Sequence, residues 1–146
     1  MLKITHGIDR LSEWVGITVR WFFVVAVVIS AGNAISRRVF DISSNAFLEL
    51  QWYLFAAGVL LGAAYVLLKD DHVRVDFVST KLSARTNATV DAVALSLFAI
   101  PFCLMLIWYS WPMFEIAWRT GEMSSNAGGL TRWPVLLCLP VGFALL

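Results

Sequence analysis

The sequence predicts an all-α integral membrane protein. It should have four transmembrane helices, an N-terminal amphipathic helix, and an interfacial helix between spans two and three. Three observations lead there. Of 146 residues, 60% are hydrophobic and 14% charged, whereas soluble domains run at about 45–50% apolar and about 25% charged. The mean hydropathy is +0.77. The apolar residues also gather into four runs separated by charged connections. A soluble fold of this size would lack the polar surface to cover itself. A net charge of +1 offers no electrostatic footprint for nucleic acid, so the lipid bilayer is the expected partner and nucleic acid is not.

In residues 1–14, Leu2, Ile4, Ile8, Leu11 and Trp14 share one helical face, with Lys3, Asp9, Arg10 and Glu13 mostly elsewhere. This pattern suits a short amphipathic helix on the membrane surface that runs into the first span. The first span reads from Val15 to Ile35, interrupted by Arg20 near its inner boundary and closed by Arg37-Arg38. Arg20 lies close enough to that boundary to snorkel. The segment before the span carries Asp9 and Glu13, unlike the short basic start of a cleaved signal peptide, so an uncleaved signal-anchor is expected.

The second span, Leu50 to Leu68, holds no charge and lies between Glu49 and Lys69-Asp70-Asp71. The third, Ala92 to Phe114, is bounded by Asp91 and Glu115, and the fourth starts at Trp133 and is still apolar at Leu146. These 14 residues make about 21 Å of helix against a hydrocarbon core of about 30 Å. The natural chain is therefore expected to continue past Leu146. Pro101 and Pro140 should kink their helices. Residues 1–146 thus read as one four-helix membrane domain with spans 15–35, 50–68, 92–114 and 133–146.

Basic residues set the orientation. Lys3, Arg10, Arg20, Lys69, Arg74, Lys81 and Arg85 fall on one side, and Arg37, Arg38, Arg119 and Arg132 on the other. The excess favours a cytoplasmic N-terminus. Trp52, Tyr53, Trp108, Tyr109, Trp111, Trp118 and Trp133 then gather at the outer boundary, as an aromatic belt would.

The spans hold little chemistry. Cys103 and Cys138 sit in apolar runs without a partner motif and read as small buried hydrophobes. The two histidines, His6 and His72, lie outside the spans, against a haem-binding anchor subunit. No cofactor, metal site or enzymatic motif is expected. Glu49 is the notable acid. Arg37 and Arg38 end the preceding span on its side, and an interhelical ion pair among the three would lock two helices in register. The functional alternative is an autonomous small transporter that carries protons on Glu49; a membrane anchor subunit of another complex is the third class. Gly58 and Gly62 form a GxxxG pair with Ala57 and Ala63 beside them, small residues that let another helix approach closely.

The stretch KDDHVRVDF, Lys69 to Phe77, leaves the second span with six ionisable residues. Lys69 and Arg74 spoil it as a carboxylate cage for a metal. It reads as an elbow at the cytoplasmic surface, around His72, Arg74, Asp76 and Phe77, followed by a surface helix from about Asp76 to Ala84 capped by Asp76.

An amphipathic start, Glu49 and Trp52 in a Glu-x-x-Trp spacing, HVRVDF after the second span, and SSNAGGLTRWP before the fourth together resemble the DctQ-like family. These are the small membrane subunits of tripartite ATP-independent periplasmic (TRAP) transporters. The resemblance covers nearly the whole chain, and HVRVDF is its most specific piece. It implies a sodium-driven secondary transporter of the bacterial inner membrane, in which a periplasmic substrate-binding protein delivers an organic acid to a large elevator subunit. The small subunit would be a scaffold without catalytic residues. On this reading Gly58, Gly62, Ala57 and Ala63 seat the large subunit, and Arg37, Arg38, Arg119, Glu122, Ser124, Asn126 and the rest of the Ser124 to Gly129 loop belong to the periplasmic docking face.

Overall fold

The computed structural model describes residues 2–42, 44–69 and 83–146, with residues 2–5 and Ala84 described by their backbone alone. The expected elbow at His72, Arg74, Asp76 and Phe77 lies outside the described residues. Helix α1 (Leu2–Phe40) is followed by α2 (Asn45–Leu68). After the gap come α3 (Ala84–Ala94), a π-helical turn (Leu95–Ala99) and α4 (Ile100–Thr120), which run on as one rod, and then α5 (Trp133–Leu145). Among the described residues, three helical stretches are long and apolar enough to cross a membrane: His6–Phe40, Asn45–Leu68 and Arg85–Thr120. The helix Trp133–Leu145 is apolar but shorter.

Two boundaries differ from the sequence reading. The amphipathic start and the first span form a single helix of 39 residues, because nothing between Leu2 and Phe40 breaks the backbone pattern. The third rod begins at Ala84, before the expected start at Ala92. Ser83 is extended there (φ −68°, ψ 151°) and its hydroxyl accepts from the Thr86 N–H at 3.2 Å. That cap satisfies one of the orphan donors of a helix start; the surface helix expected from about Asp76 lies, up to Ser83, outside the described residues.

Pro101 explains the π-helical turn. It has no N–H for the Leu97 carbonyl, and its ring would crowd that carbonyl in a regular α-helix. The turn before it is wider, and the Ile100 N–H bonds to the Leu95 oxygen. Pro112 and Pro140 lie inside α4 and α5 without ending them.

The helices stand in an open row. α1 packs on α2, α2 on α5, and α5 on α4. α1 and α2 run antiparallel, with Gly16 beside Tyr65 and Gly58 beside Phe23. α4 and α5 are also antiparallel, tied by Trp118 against Trp133 at 4.6 Å and Phe102 against Phe143 at 6.5 Å. Interior positions are occupied by small side chains such as Ala26, Ala57, Ala64, Cys103 and Ala117, and among the described residues no large side chain is fully buried. Small residues in the seams are what helices in lipid require, since burying apolar surface gains little there and close van der Waals contact must substitute.

The glycines show where the contacts are closest. A Cβ on Gly142 of α5 would stand 2.7 Å from the Leu60 carbonyl oxygen, and backbone cannot move aside as a side-chain tip can. A Cβ on Gly16 would collide with the root of the Tyr65 side chain. At the N-terminal end of the row, Lys69 closes the α1–α2 seam with an ion pair to Glu13 at 2.8 Å, and its ammonium lies 5.6 Å from the Tyr65 ring centroid. Gly142→Leu is expected to destabilise the protein by about 1–3 kcal/mol through overpacking. Gly7→Ala, which meets nothing within 4 Å, should be neutral. Thermal unfolding of the purified chain in detergent compares them.

Candidate functional site

At the opposite end of the row, the segment joining α4 to α5 folds into a closed knob. Gly121 ends α4 in the left-handed region (φ 62°), which lets the Glu122 N–H bond back to Ala117 at 3.1 Å. The base of the knob is tied by the Arg132 N–H to the Glu122 carbonyl at 2.9 Å and by the Arg132–Glu122 side-chain ion pair. Above it, Met123 and Thr131 bridge antiparallel, and the Ser124 N–H bonds to Leu130 at 2.9 Å. The tip turns through Asn126 to Gly129, closed by the Gly129 N–H to the Asn126 carbonyl at 2.9 Å.

The knob is built around a side chain of α2. Glu49 is 8% exposed. Its Oε1 accepts from the Ser124 hydroxyl and from Asn126 Nδ2 at 2.7 Å, while Oε2 accepts from the Leu130 N–H at 2.7 Å. All three partners are donors, the complement of an ionised carboxylate, which can only accept. The Ser124 oxygen also accepts from the Asn126 N–H at 3.3 Å, so one hydroxyl links the acid to the turn. Gly129 is buried against the same group, and a Cβ there would come 3.0 Å from Glu49 Oε2. One helical turn earlier, Asn45 Nδ2 donates to the Ala127 carbonyl at 3.1 Å, so two residues on the start of α2 hold the knob.

This arrangement replaces the expected Glu49–Arg37–Arg38 pairing. Glu49 precedes Gly58 by nine residues, a rotation of about 180° on a helix. Gly58 faces α1, where a Cβ would meet the Phe23 ring at 2.6 Å, so Glu49 faces away from α1 and its terminal arginines. Arg37 and Arg38 stand exposed on the last turn of α1.

The GxxxG face has likewise found a partner inside the chain. Gly58 receives Phe23, and Gly62 is 3.5 Å, measured from an added Cβ, from Val19. These two glycines seat α1. Ala57 is buried on the side of α2 that meets Pro134, Val135 and Cys138 of α5, and Ala63 borders a groove on the α1 side. Ser124 and Asn126, read as docking residues, direct their polar groups inward to Glu49. Arg119 pairs with Glu115 one turn away at 2.6 Å, and Glu122 pairs with Arg132. The exposed residues of the knob include Met123, Ser125, Asn126, Ala127 and Gly128, so Asn126 reaches Glu49 with its amide and still keeps an outward surface. The sequence carried a sign of the Glu49 contact in the nine-residue spacing from Gly58, which turns Glu49 away from the face that carries the glycines.

A family model for the DctQ component of tripartite ATP-independent periplasmic transporters matches residues 25–146. The chain belongs to this DctQ family. The match takes in α2, the knob and both helices that flank it, and omits the first part of α1. No curated protein matches the chain. The family is one of transporter components rather than enzymes, and the apolar helices agree with a membrane location.

Replacing Glu49 with Gln puts an amide N–H where only donors converge. The Leu130 amide should then exchange with deuterium faster than in the native protein, and Glu49→Ala should accelerate it further. Hydrogen exchange read at Leu130, with an α1 amide as internal reference, checks both.

Proposed function

We propose that this chain is the small scaffold subunit of a sodium-coupled TRAP transporter that takes up an organic acid delivered by a periplasmic binding protein. It lies in the bacterial inner membrane with its N-terminus in the cytoplasm, steadies the large elevator subunit, and contributes the knob at Glu122 to Arg132 to the docking face.

The open row of helices is the observation that carries this reading. Among the described residues, α1, α2 and α4 each carry large apolar side chains exposed along much of their length. On α4 these include Trp108, 77% exposed, with Leu104, Trp111 and Ile116. A chain that moved a solute alone would enclose a polar path between its helices, and here the hollows along the α1–α2 seam are open-sided, mostly apolar and divided by the Phe23 ring. A row with bare sides instead presents a broad surface to a larger neighbour, and Trp and Tyr are favoured anchors in such surfaces.

Glu49 fits a scaffold better than a proton carrier. A carrier carboxylate must lose and regain its proton on each cycle with access to both sides. This one is enclosed by three donors at one end of the row, and its removal would loosen the knob.

Co-purification tests the scaffold reading: the tagged chain should bring down a larger multi-span subunit encoded with it, and sodium-dependent uptake should need both. Uptake by the small chain alone in proteoliposomes would overturn it. For docking, Ser125→Trp or Ala127→Trp, at outward positions that bear none of the Glu49 contacts by side chain, should raise the binding-protein concentration needed for half-maximal uptake. Both variants should leave co-purification unchanged.

A further inference from the structure

The seam between α1 and α2 is closed at mid-depth and hollow above it. At mid-depth, Phe23 lies on Gly58 and meets Phe55 edge-on at 5.6 Å. From there toward the knob, α1 offers only Ala26, Val27, Ser30, Ala31 and Ala34, and the facing wall is Gln51 and Trp52. The trough between them has a volume of about 620 Å³. Phe23 to Ala34 spans about 16 Å of helix, half of a hydrocarbon core about 30 Å thick. That is the depth of one leaflet.

The trough ends under two cations. Arg37 and Arg38 follow Ala34 by three and four residues, which puts them on the same helical face one turn higher. Both are exposed, and neither is in an ion pair among the described residues. The acids within reach do not cancel them. Asp41 is the sole acid of the connection to α2, and Glu49 is turned to the far side of α2 and held by the knob. On the other wall, Gln51 and the Trp52 indole lie deeper in the trough, about level with Ser30, and leave the headgroup to the two arginines.

We propose that this trough is a phospholipid site. One acyl chain lies between α1 and α2 from Ala34 down to Phe23, and Arg37 and Arg38 hold the phosphodiester of an anionic headgroup. Guanidinium groups match phosphate oxygens in charge and in fork geometry. A transmembrane helix of a partner suits the trough less well. It would need an unbroken groove along the whole seam, and the Phe23–Phe55 ridge divides this seam from a second trough of about 560 Å³ bordered by Gly16, Val59 and Ala63. The proposal is independent of the scaffold reading, since any chain with this seam in a bilayer would bind the lipid.

The test uses the full chain, with whatever subunit accompanies it, reconstituted in vesicles of equal phosphatidylglycerol and phosphatidylcholine, extracted in mild detergent and weighed by native mass spectrometry. Retention of one phosphatidylglycerol is expected. The double variant Arg37→Gln, Arg38→Gln should lower its occupancy about tenfold, a difference of about 1.4 kcal/mol. Ala31→Phe, which fills the trough and leaves both arginines, should lower it comparably; Ala34→Leu serves if Ala31→Phe does not fold. A photoreactive side chain at position 31 should capture lipid. Unchanged retention in the double variant and the filled variant, or capture of a protein helix at position 31, would overturn the proposal.

Discussion

Helix α2 has two neighbours on different sides, and each side makes the contact that a bilayer permits. Toward α1 it presents Gly58 and Gly62, which let the Phe23 ring and Val19 settle onto its backbone. Toward α5 it presents Ala57 and Ala64, and the Leu60 backbone meets Gly142 so closely that no side chain fits between. Between helices in lipid, association depends on close van der Waals fit and on satisfied polar groups. Both requirements meet in α2: its middle is stripped of bulk on two sides, and its one acid is placed at the end where a polar loop reaches it. Among the described residues, α1 and the α4–α5 pair are joined chiefly through α2.

Glu49 then determines the shape of the loop. A carboxylate at the edge of hydrocarbon is costly unless its oxygens are occupied, and the short chain from Thr120 to Trp133 supplies a hydroxyl, an amide and a backbone N–H to occupy them. Gly129 follows from the same contact, because the turn must pass against the carboxylate where a Cβ would press on Oε2. The knob is thus a consequence of where one acid sits on α2, with the Glu122–Arg132 pair closing its base.

Much of this was legible in the sequence, and the exceptions have physical causes. Hydropathy placed the apolar runs because the bilayer sets their length, and the loop from Ser124 to Pro134 was recognised as a distinct unit. The GxxxG spacing marked a packing face, but spacing identifies a face and not its occupant; Phe23 of the same chain fills it. The pairing of Glu49 with Arg37 and Arg38 was inferred from nearness along the chain. Angular position on the helix was the better guide, since nine residues from Gly58 turn Glu49 to the opposite side. Gly16 and Gly142 escaped notice because each is a single small residue whose importance depends on what stands across the seam. The early start at Ala84 was masked by the polar composition of α3, where the Ser83 cap rather than hydropathy marks the boundary.

The two bare sides of the row differ in kind, and the difference bears on what covers each. Along α1 the open seam is lined by small side chains and ends beneath arginines, a narrow slot with charge at its mouth. Along α4 the open side is broad and crowded with large side chains, Trp108, Tyr109 and Trp111 among them, beside an Arg119–Glu115 pair that is already neutral. A slot with free cations suits a flexible chain carrying an anionic head. A wide aromatic surface with its charges already paired suits a rigid protein neighbour, since ordered aromatic rings lose little conformational freedom when covered. A row of helices with one side of each kind would stand between bulk lipid and a larger membrane subunit, and that is where a scaffold has to stand.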